Sequence, residues 1–287
     1  MIKPTTALIA ALVLAGSGSA QAASNTACNR ACLSGAITAY LNGMVKHDPA
    51  AVPVAKDVRV TENIKDIKLG EGLFATATKL GTFREEFLDT RAGVAGAHVV
   101  VDEGGKPALL AVRLKVVGRK ITEIESQVTR SQEEGQVWEP AGLTTANPAM
   151  TKMPKKSQLN SREEMVKITD FYSRGLIAGS FVKVDAPFAE ETTSRNENGS
   201  FTAGPPCIRN PSCKNIKTQP SPTRAGFQDR VMLVDEQNGI VWRRLSWNRT
   251  NGQRLVAFEV FKVYDGKMQV VEAFLRLEPQ SSTSGWG

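Results

Sequence analysis

Two Glu-Asn pairs, Glu62-Asn63 and Glu197-Asn198, stand at matching places in the two halves of the chain, a few residues after Arg59 and just after Arg195 respectively. A carboxylate beside an amide is suited to acid-base chemistry: the carboxylate abstracts a proton while the amide donates to the oxygen on which charge develops. The same residue types cap turns, and their repetition in both halves suits that role equally. His98 lies in the strand-like run from Gly96 to Val101, where one parity puts its ring on a sheet face, in a pocket or in solvent. Glu259 shares a strand face with Ala257, Phe261 and Val263. It reads either as a carboxylate raised in pKa by apolar neighbours or as the salt-bridge partner of Arg230 or Arg244. The candidate catalytic set is therefore Glu62, Asn63, His98, Glu197, Asn198 and Glu259. Tyr40, Phe74, Tyr172 and Trp247 are candidates to line an aromatic-binding cavity, with core packing as the other reading, and Arg113 and Arg230 are the candidate cations on the ligand side. Arg113 and Lys115 share a face with Ala111, opposite Val112, Leu114 and Val116, so the basic face meets solvent or ligand.

Other chemistries lack their residues. The mature chain has no Gly-x-Ser-x-Gly elbow, no His-Glu-x-x-His, no phosphate-cradling glycine loop and no dinucleotide fingerprint, so no cofactor is expected. Of the two histidines, His47 precedes Asp48-Pro49 and reads as a turn residue after a helix. Cys28, Cys32, Cys207 and Cys213 have the short spacings of zinc half-sites, but their flanks carry Pro and Asn, and no metal is expected. The net charge of +7 is carried by scattered Lys and Arg without interleaved stacking aromatics, which argues against a nucleic-acid partner.

The elements that must position these groups come in two similar sets. A helix over Ala31–Val45 has Cys32, Ala36, Ile37, Tyr40, Leu41 and Met44 on one stripe. A second opens with Ser161 and Glu164 as a capping box and continues through Met165, Ile168, Phe171, Tyr172 and Leu176. Each is followed by a Pro-apolar step and then the Glu-Asn pair. Val99–Glu103 parallels Met232–Glu236, and Ala111–Glu125 parallels Phe258–Glu272. The offset grows from 135 to 147, which a longer hairpin near Asn248–Gly252 explains. Each half then reads as one amphipathic helix, irregular loops and three or four antiparallel strands, the fold class being α+β. Their bounds are 28–138 and 161–279, with a linker at 139–160 and a disordered tail at 280–287.

Residues 1–22 have one early positive charge, a short apolar run and an Ala20-Gln21-Ala22 cleavage pattern, a secretory signal that sends the chain to the periplasm or outside the cell, without a membrane anchor. Four cysteines in an oxidising compartment imply disulfides, in any of three connectivities. Cys207–Cys213 is favoured, because Cys28 and Cys32 sit at a helix start and pair only by distorting its first turn.

This order of elements resembles the SnoaL-like, nuclear transport factor 2-like superfamily, which includes ketosteroid isomerase. The stretches Cys28-x-x-x-Cys32-Leu, Thr61-Glu-Asn63, Leu69-Gly-x-Gly-Leu-Phe74, Arg113-Leu-Lys115, Ile121-Thr-Glu-Ile-Glu125 and Arg195-x-Glu-Asn-Gly199 are similar to an uncharacterised exported two-copy family of fungi and bacteria. The resemblance implies two tandem cone-shaped α+β barrels, each a helix laid on a curved antiparallel sheet around a pocket. Such folds host isomerases, cyclases, dehydratases, lyases and binding modules, and no motif transfers a catalytic aspartate here. The expected function is a cofactor-free acid-base lyase, of retro-aldol or dehydration type, acting on a small hydroxylated aromatic or apolar substrate. A non-catalytic small-molecule binding protein and an isomerase are the alternatives, and a homo-oligomer is compatible with either.

Overall fold

Helix α1 (Arg30–Val45) starts where the side chain of Asn29 accepts from the Cys32 N–H at 3.0 Å, which satisfies one of the donors a helix leaves open at its start. Helix α2 (Arg162–Ala178) starts on the expected capping box. Ser161 Oγ accepts from the Glu164 N–H at 3.2 Å, and the Glu164 carboxylate accepts from the Ser161 N–H at 2.9 Å. It ends at Gly179, whose left-handed conformation (φ +67°) a residue with a Cβ rarely adopts. The computed structural model describes residues 28–189, 192–282 and 284–286. The expected signal segment lies outside the described residues, as do 283 and 287 of the tail.

Each helix packs on one six-stranded sheet, so the architecture is α+β with two helix-on-sheet units. The first sheet contains β1 (Val54–Glu62), β2 (Lys65–Asp66), β3 (Lys79–Asp89), β4 (Val94–Glu103), β5 (Lys106–Val117) and β6 (Lys120–Thr129), in the order β2-β1-β6-β5-β4-β3. The second contains β7 (Ser194–Glu197), β8 (Ser200–Ala203), β9 (Gln228–Asp235), β10 (Ile240–Asn248), β11 (Gln253–Tyr264) and β12 (Lys267–Pro279), in the corresponding order β8-β7-β12-β11-β10-β9. The sheets are mixed rather than purely antiparallel, because β1 runs parallel to β6 and β7 parallel to β12. Register shifts within the ladders bend both sheets around their helices.

Ladder positions relocate the extra residues of the second half. Asp89 pairs with Val94 and Asp235 with Ile240, so the offset is already 146 at β3 and β9. The offset rises by 11, from 135 to 146, so the added length lies within residues 204–227, between β8 and β9, where the first unit has 67–78, and not in the Asn248–Gly252 hairpin. Val99–Glu103 belongs to β4 and Met232–Glu236 to β9 and the turn after it, so these two stretches are not equivalents.

Strand parity decides what each face meets. In β4, Ala95, Ala97, Val99 and Val101 face α1, whereas Gly96 and His98 face away. In β10, Val241 and Leu245 face α2, whereas Ile240 and Trp242 face away. The faces turned from the helices pack on each other. Phe83, Phe87, Leu109, Trp242, Phe258 and Phe274 form a third core between the sheets. The indole of Trp242 lies against Gly96, where any Cβ would collide with it.

Two matched ion pairs frame this contact. Arg30 of α1 reaches Asp235 of the second sheet at 2.6 Å, and Arg162 of α2 reaches Asp89 of the first at 2.6 Å. Asp235 also accepts from the Leu88 N–H and Asp89 from the Val234 N–H. The same residues at matching positions on both sides describe an approximate two-fold relation, as in a symmetric dimer interface. The segment read as a linker is part of it: Leu143 and Met150 enter the inter-sheet core, and Asn147 bonds Glu85 and Glu272.

Both cysteine pairs are closed, Cys28–Cys32 and Cys207–Cys213. The first does not distort the helix, contrary to expectation. Cys28 precedes the cap residue Asn29, so the bridge spans the N-cap rather than the first turn, with Cα atoms 5.2 Å apart. The tail is also docked where described: the Trp286 ring lies 4.0 Å from the Arg59 guanidinium, and its Nε1 donates to Thr61 Oγ1 at 2.9 Å. A large amphipathic ring with a cation and an acceptor in reach holds a segment that composition alone marks as loose.

Candidate functional site

A group of convergent ionisable side chains on a helix-facing sheet surface lies in the second unit. Glu197, Ala273, Glu259 and Arg243 occupy one cross-strand row over β7, β12, β11 and β10, so they share the face toward α2. Tyr172, on the buried stripe of α2, donates its hydroxyl to Glu259 Oε1 at 2.7 Å. Arg195, two residues before Glu197 and thus on the same face, donates to Tyr172 Oη at 3.2 Å and lies 3.5 Å from the Glu197 carboxylate. It also donates to Thr202 Oγ1 at 3.0 Å and to Gln219 Oε1 at 3.1 Å.

Burial sets the charges here. Glu259 is 2% exposed, and desolvation, reinforced by the negative charge of Glu197, pushes its pKa up to about 8, against the opposing pull of Tyr172 and Arg195. It therefore holds its proton at neutral pH. Burial raises Tyr172 well above the ordinary phenol range, so it stays a donor. Arg195 stays charged: burial opposes the charge, but Glu197 and its other partners outweigh that and raise its pKa. The row thus contains a protonated acid, a phenol donor and a carboxylate ion-paired to a guanidinium, which are the parts of an acid-base pair on one surface.

The first unit lacks them. Val60 and Val112 occupy the ladder positions of Arg195 and Glu259, and Ser126 that of Ala273. Tyr40 is the counterpart of Tyr172, but it meets Phe74 edge-on at 5.9 Å within a packed hydrocarbon core. Glu62 is raised in pKa by burial, but its Oε2 is taken by the Leu73 N–H at 2.8 Å and Arg130 stands 3.7 Å away.

The Glu-Asn pairs do not act as units. Asn63 and Asn198 have left-handed backbones (φ +49° and +48°), and their side-chain oxygens accept from the Val128 and Leu275 N–H groups at 2.8 and 2.7 Å. Both amides are spent on turns and strand backbone, since each turns away from the face its neighbouring glutamate occupies. His98 is fully buried between the sheets, stacked on Phe274 at 4.3 Å and edge-on to Phe87 and Trp242. Neither ring nitrogen has a well-formed hydrogen bond, and burial, slightly offset by the Phe258 backbone, lowers its pKa to about 3. It is a neutral aromatic of the core rather than a pocket base. Parity placed it on a sheet face, but that face meets the other sheet.

Among the candidate ligand contacts, only Tyr172 joins the Glu259 row. Trp247 stacks on Phe227 with Arg224 4.9 Å from its ring, Arg113 pairs with Glu123 at 2.8 Å, and Arg230 pairs with Glu125 at 2.5 Å. Arg230 and Arg244 face away from α2, so neither reaches Glu259. Arg195 and Gln219 were missed as site residues. Arg195 carried a signal, since it precedes Glu197 by two and so shares its face, whereas Gln219 comes from the lengthened connection 204–227 and had none. Among the described residues no group of three or more His, Cys, Asp or Glu is placed to hold a metal ion, and no helix is long and apolar enough to cross a membrane.

The lengthened connection 204–227 covers the row. Cys213 and Ile216 are buried in it, and Gln219 ties it to Arg195 and, at 2.8 Å, to the Thr202 carbonyl. The Cys207–Cys213 bridge closes a short loop, so replacing both residues with Ala is expected to cost about 2 kcal/mol. Chemical denaturation of that variant, with intact Cys28–Cys32, measures it.

A family described as Domain of unknown function (DUF8021) matches residues 158–275, which contain α2 and most of the second sheet. No curated protein matches the chain. Among solved structures it is similar to a de novo designed protein with a curved β-sheet, at 18% identity over 35% of this chain and 88% of that one, with a TM-score of 0.31. It is also similar to an NTF2-like protein of unknown function from Cytophaga hutchinsonii, at 8% identity over 35% and 91% of the chains, TM-score 0.28. A third is an LEH-like epoxide hydrolase of M. tuberculosis, at 14% identity over 34% and 84%, TM-score 0.26.

Proposed function

We propose that the second unit is a cofactor-free acid-base lyase of the dehydration type, exported to the periplasm or beyond, and that its substrate is a small hydroxylated aromatic or apolar compound. The observation that carries this reading is the protonated Glu259 hydrogen-bonded to Tyr172 in one row with an Arg195-paired Glu197. In the reaction Glu197 takes a proton from the carbon next to the hydroxyl-bearing one. The electron pair of that C–H bond forms the double bond, the C–O bond breaks, and Glu259 gives its proton to the leaving hydroxyl, which departs as water. Arg195 and Tyr172 stabilise the charge that develops on substrate oxygen. Proton exchange between the two glutamates through solvent restores the start. The SnoaL-like resemblance and the two disulfides, which suit an oxidising compartment, fit the same reading.

A non-catalytic role, as a binding or scaffold unit, is the second reading, favoured by the packing of Phe181 and Phe261 against the Tyr172 ring, both at 4.9 Å, which fills the space beside the acid. Catalysis then requires segment 204–227 to lift. The two readings separate when the mature protein is incubated with a panel of hydroxylated aromatic and polycyclic compounds and followed by mass spectrometry. A lyase yields products lighter by one water or cleaved at a C–C bond; a binder returns every compound unchanged.

A further inference from the structure

On the opposite side of the second sheet, facing away from Glu259, a cleft of about 390 Å³ opens beside Arg230 and Arg244 and is lined by Trp286. Arg230 and Arg244 are directly opposite each other on adjacent strands, a placement in which like charges repel. Arg230 is compensated by Glu125 at 2.5 Å. Arg244 is not. Its residue is 6% exposed, its nearest carboxylate, Glu278, is 3.8 Å away, and among the described residues it makes no hydrogen bond. Burial lowers its pKa and raises that of Glu278, so the pair is poorly matched. Of the other polar groups of the cleft, Asp229 Oδ2 accepts from Arg243 and Ser173, and Gln228 Oε1 accepts from Arg254.

A buried guanidinium without hydrogen-bond acceptors is costly to a fold, and its five donors fit a carboxylate in a two-point geometry. Trp286 lines the same cleft with a flat aromatic ring. The indole is held by Thr61, with the Arg59 guanidinium 4.0 Å and that of Arg113 5.9 Å from its ring centre. We propose that this cleft is a binding site for a small planar carboxylate, an aromatic acid whose carboxylate bridges Arg244 and the free edge of Arg230 and whose ring lies against Trp286. The site is separate from the Glu259 row and stands whether or not that row is catalytic.

Benzoate titrated into the mature protein by calorimetry, beside its uncharged analogue benzyl alcohol, tests this. Benzoate is expected to bind at least tenfold more tightly than the alcohol. Arg244→Met is expected to lose at least tenfold in benzoate affinity while melting no lower than the parent, because the arginine makes no internal hydrogen bond. Trp286→Ala is expected to lose several-fold and keep the preference for the acid. Glu259→Gln binds benzoate as the parent does. Absence of benzoate binding by the parent, equal binding of the alcohol, full affinity in Arg244→Met, or a clearly lower melting temperature of that variant, the mark of a structural arginine, overturns the proposal.

Discussion

Glu259→Gln is expected to lower turnover about 10²- to 10⁴-fold, the range for removing a positioned general acid, while leaving the fold intact. Glutamine keeps the volume of the side chain and an oxygen for the Tyr172 hydroxyl, which donates across 2.7 Å in the parent. The same variant changes how stability depends on pH. Glu259 has a folded pKa raised to about 8. Unfolded, it titrates near an ordinary carboxyl value of about 4.3, so between these limits the folded state holds a proton that the unfolded chain has released. The stabilisation is complete below the lower limit and is lost as pH rises through the upper one, with a slope of up to about 1.4 kcal/mol per pH unit from this one group. Glu85 and Glu272, which face each other between the sheets, are also raised by burial and act with the same sign. Melting temperatures taken from pH 5 to 8 should therefore fall in the parent and fall less steeply in Glu259→Gln. Parallel curves for the two proteins would mean that Glu259 is ionised in the folded state.

Trp242→Ala is expected to cost about 3 to 5 kcal/mol, the range for deleting a large aromatic from a packed interior. Trp242 is wholly buried, with Phe87 at 5.6 Å, His98 at 5.5 Å and Phe258 at 5.7 Å around it. These neighbours come from both sheets, so the cavity would open at the contact between the units. Loss at that contact should also uncouple them: the parent melts in one transition, and the variant should show two in calorimetry. A loss under about 1 kcal/mol with a single transition would mean that the inter-sheet core relaxes around the gap, as well-collapsing sites do.

Where local chemistry decided the structure, the sequence was readable. The capping box at Ser161 and Glu164 specified the start of α2 because two backbone donors find partners within four residues. Alternation along β11 put Glu259 on the face of Phe261 and Val263, which left a raised pKa and a salt bridge to Arg230 or Arg244 both open, and burial among those neighbours raises it. Alternation also placed His98 on a sheet face, but it does not say what covers that face. Only long-range pairing sets the second sheet there, and a buried imidazole between Phe274 and Trp242 looks the same in sequence as a pocket base. β7 and β8 are four residues each, too short for an alternating signature, so the parallel edge of the sheet stayed hidden. The lengthened connection 204–227 lacks periodicity, and the place of its extra residues appeared only from the ladder registers. The two asparagines were legible as turn residues by type, and their left-handed backbones account for the choice of residue.

A carboxyl ¹³C NMR titration of the mature protein, with Glu259 assigned by comparison to Glu259→Gln, bears most directly on the idea that the second unit keeps a proton-bearing acid beside a donor phenol. The expected result is a Glu259 signal at the position of a protonated carboxyl at pH 6, moving to that of the carboxylate around pH 8. A signal already at the carboxylate position at pH 6 would contradict the account, since Glu259 would then have no proton to give a leaving hydroxyl.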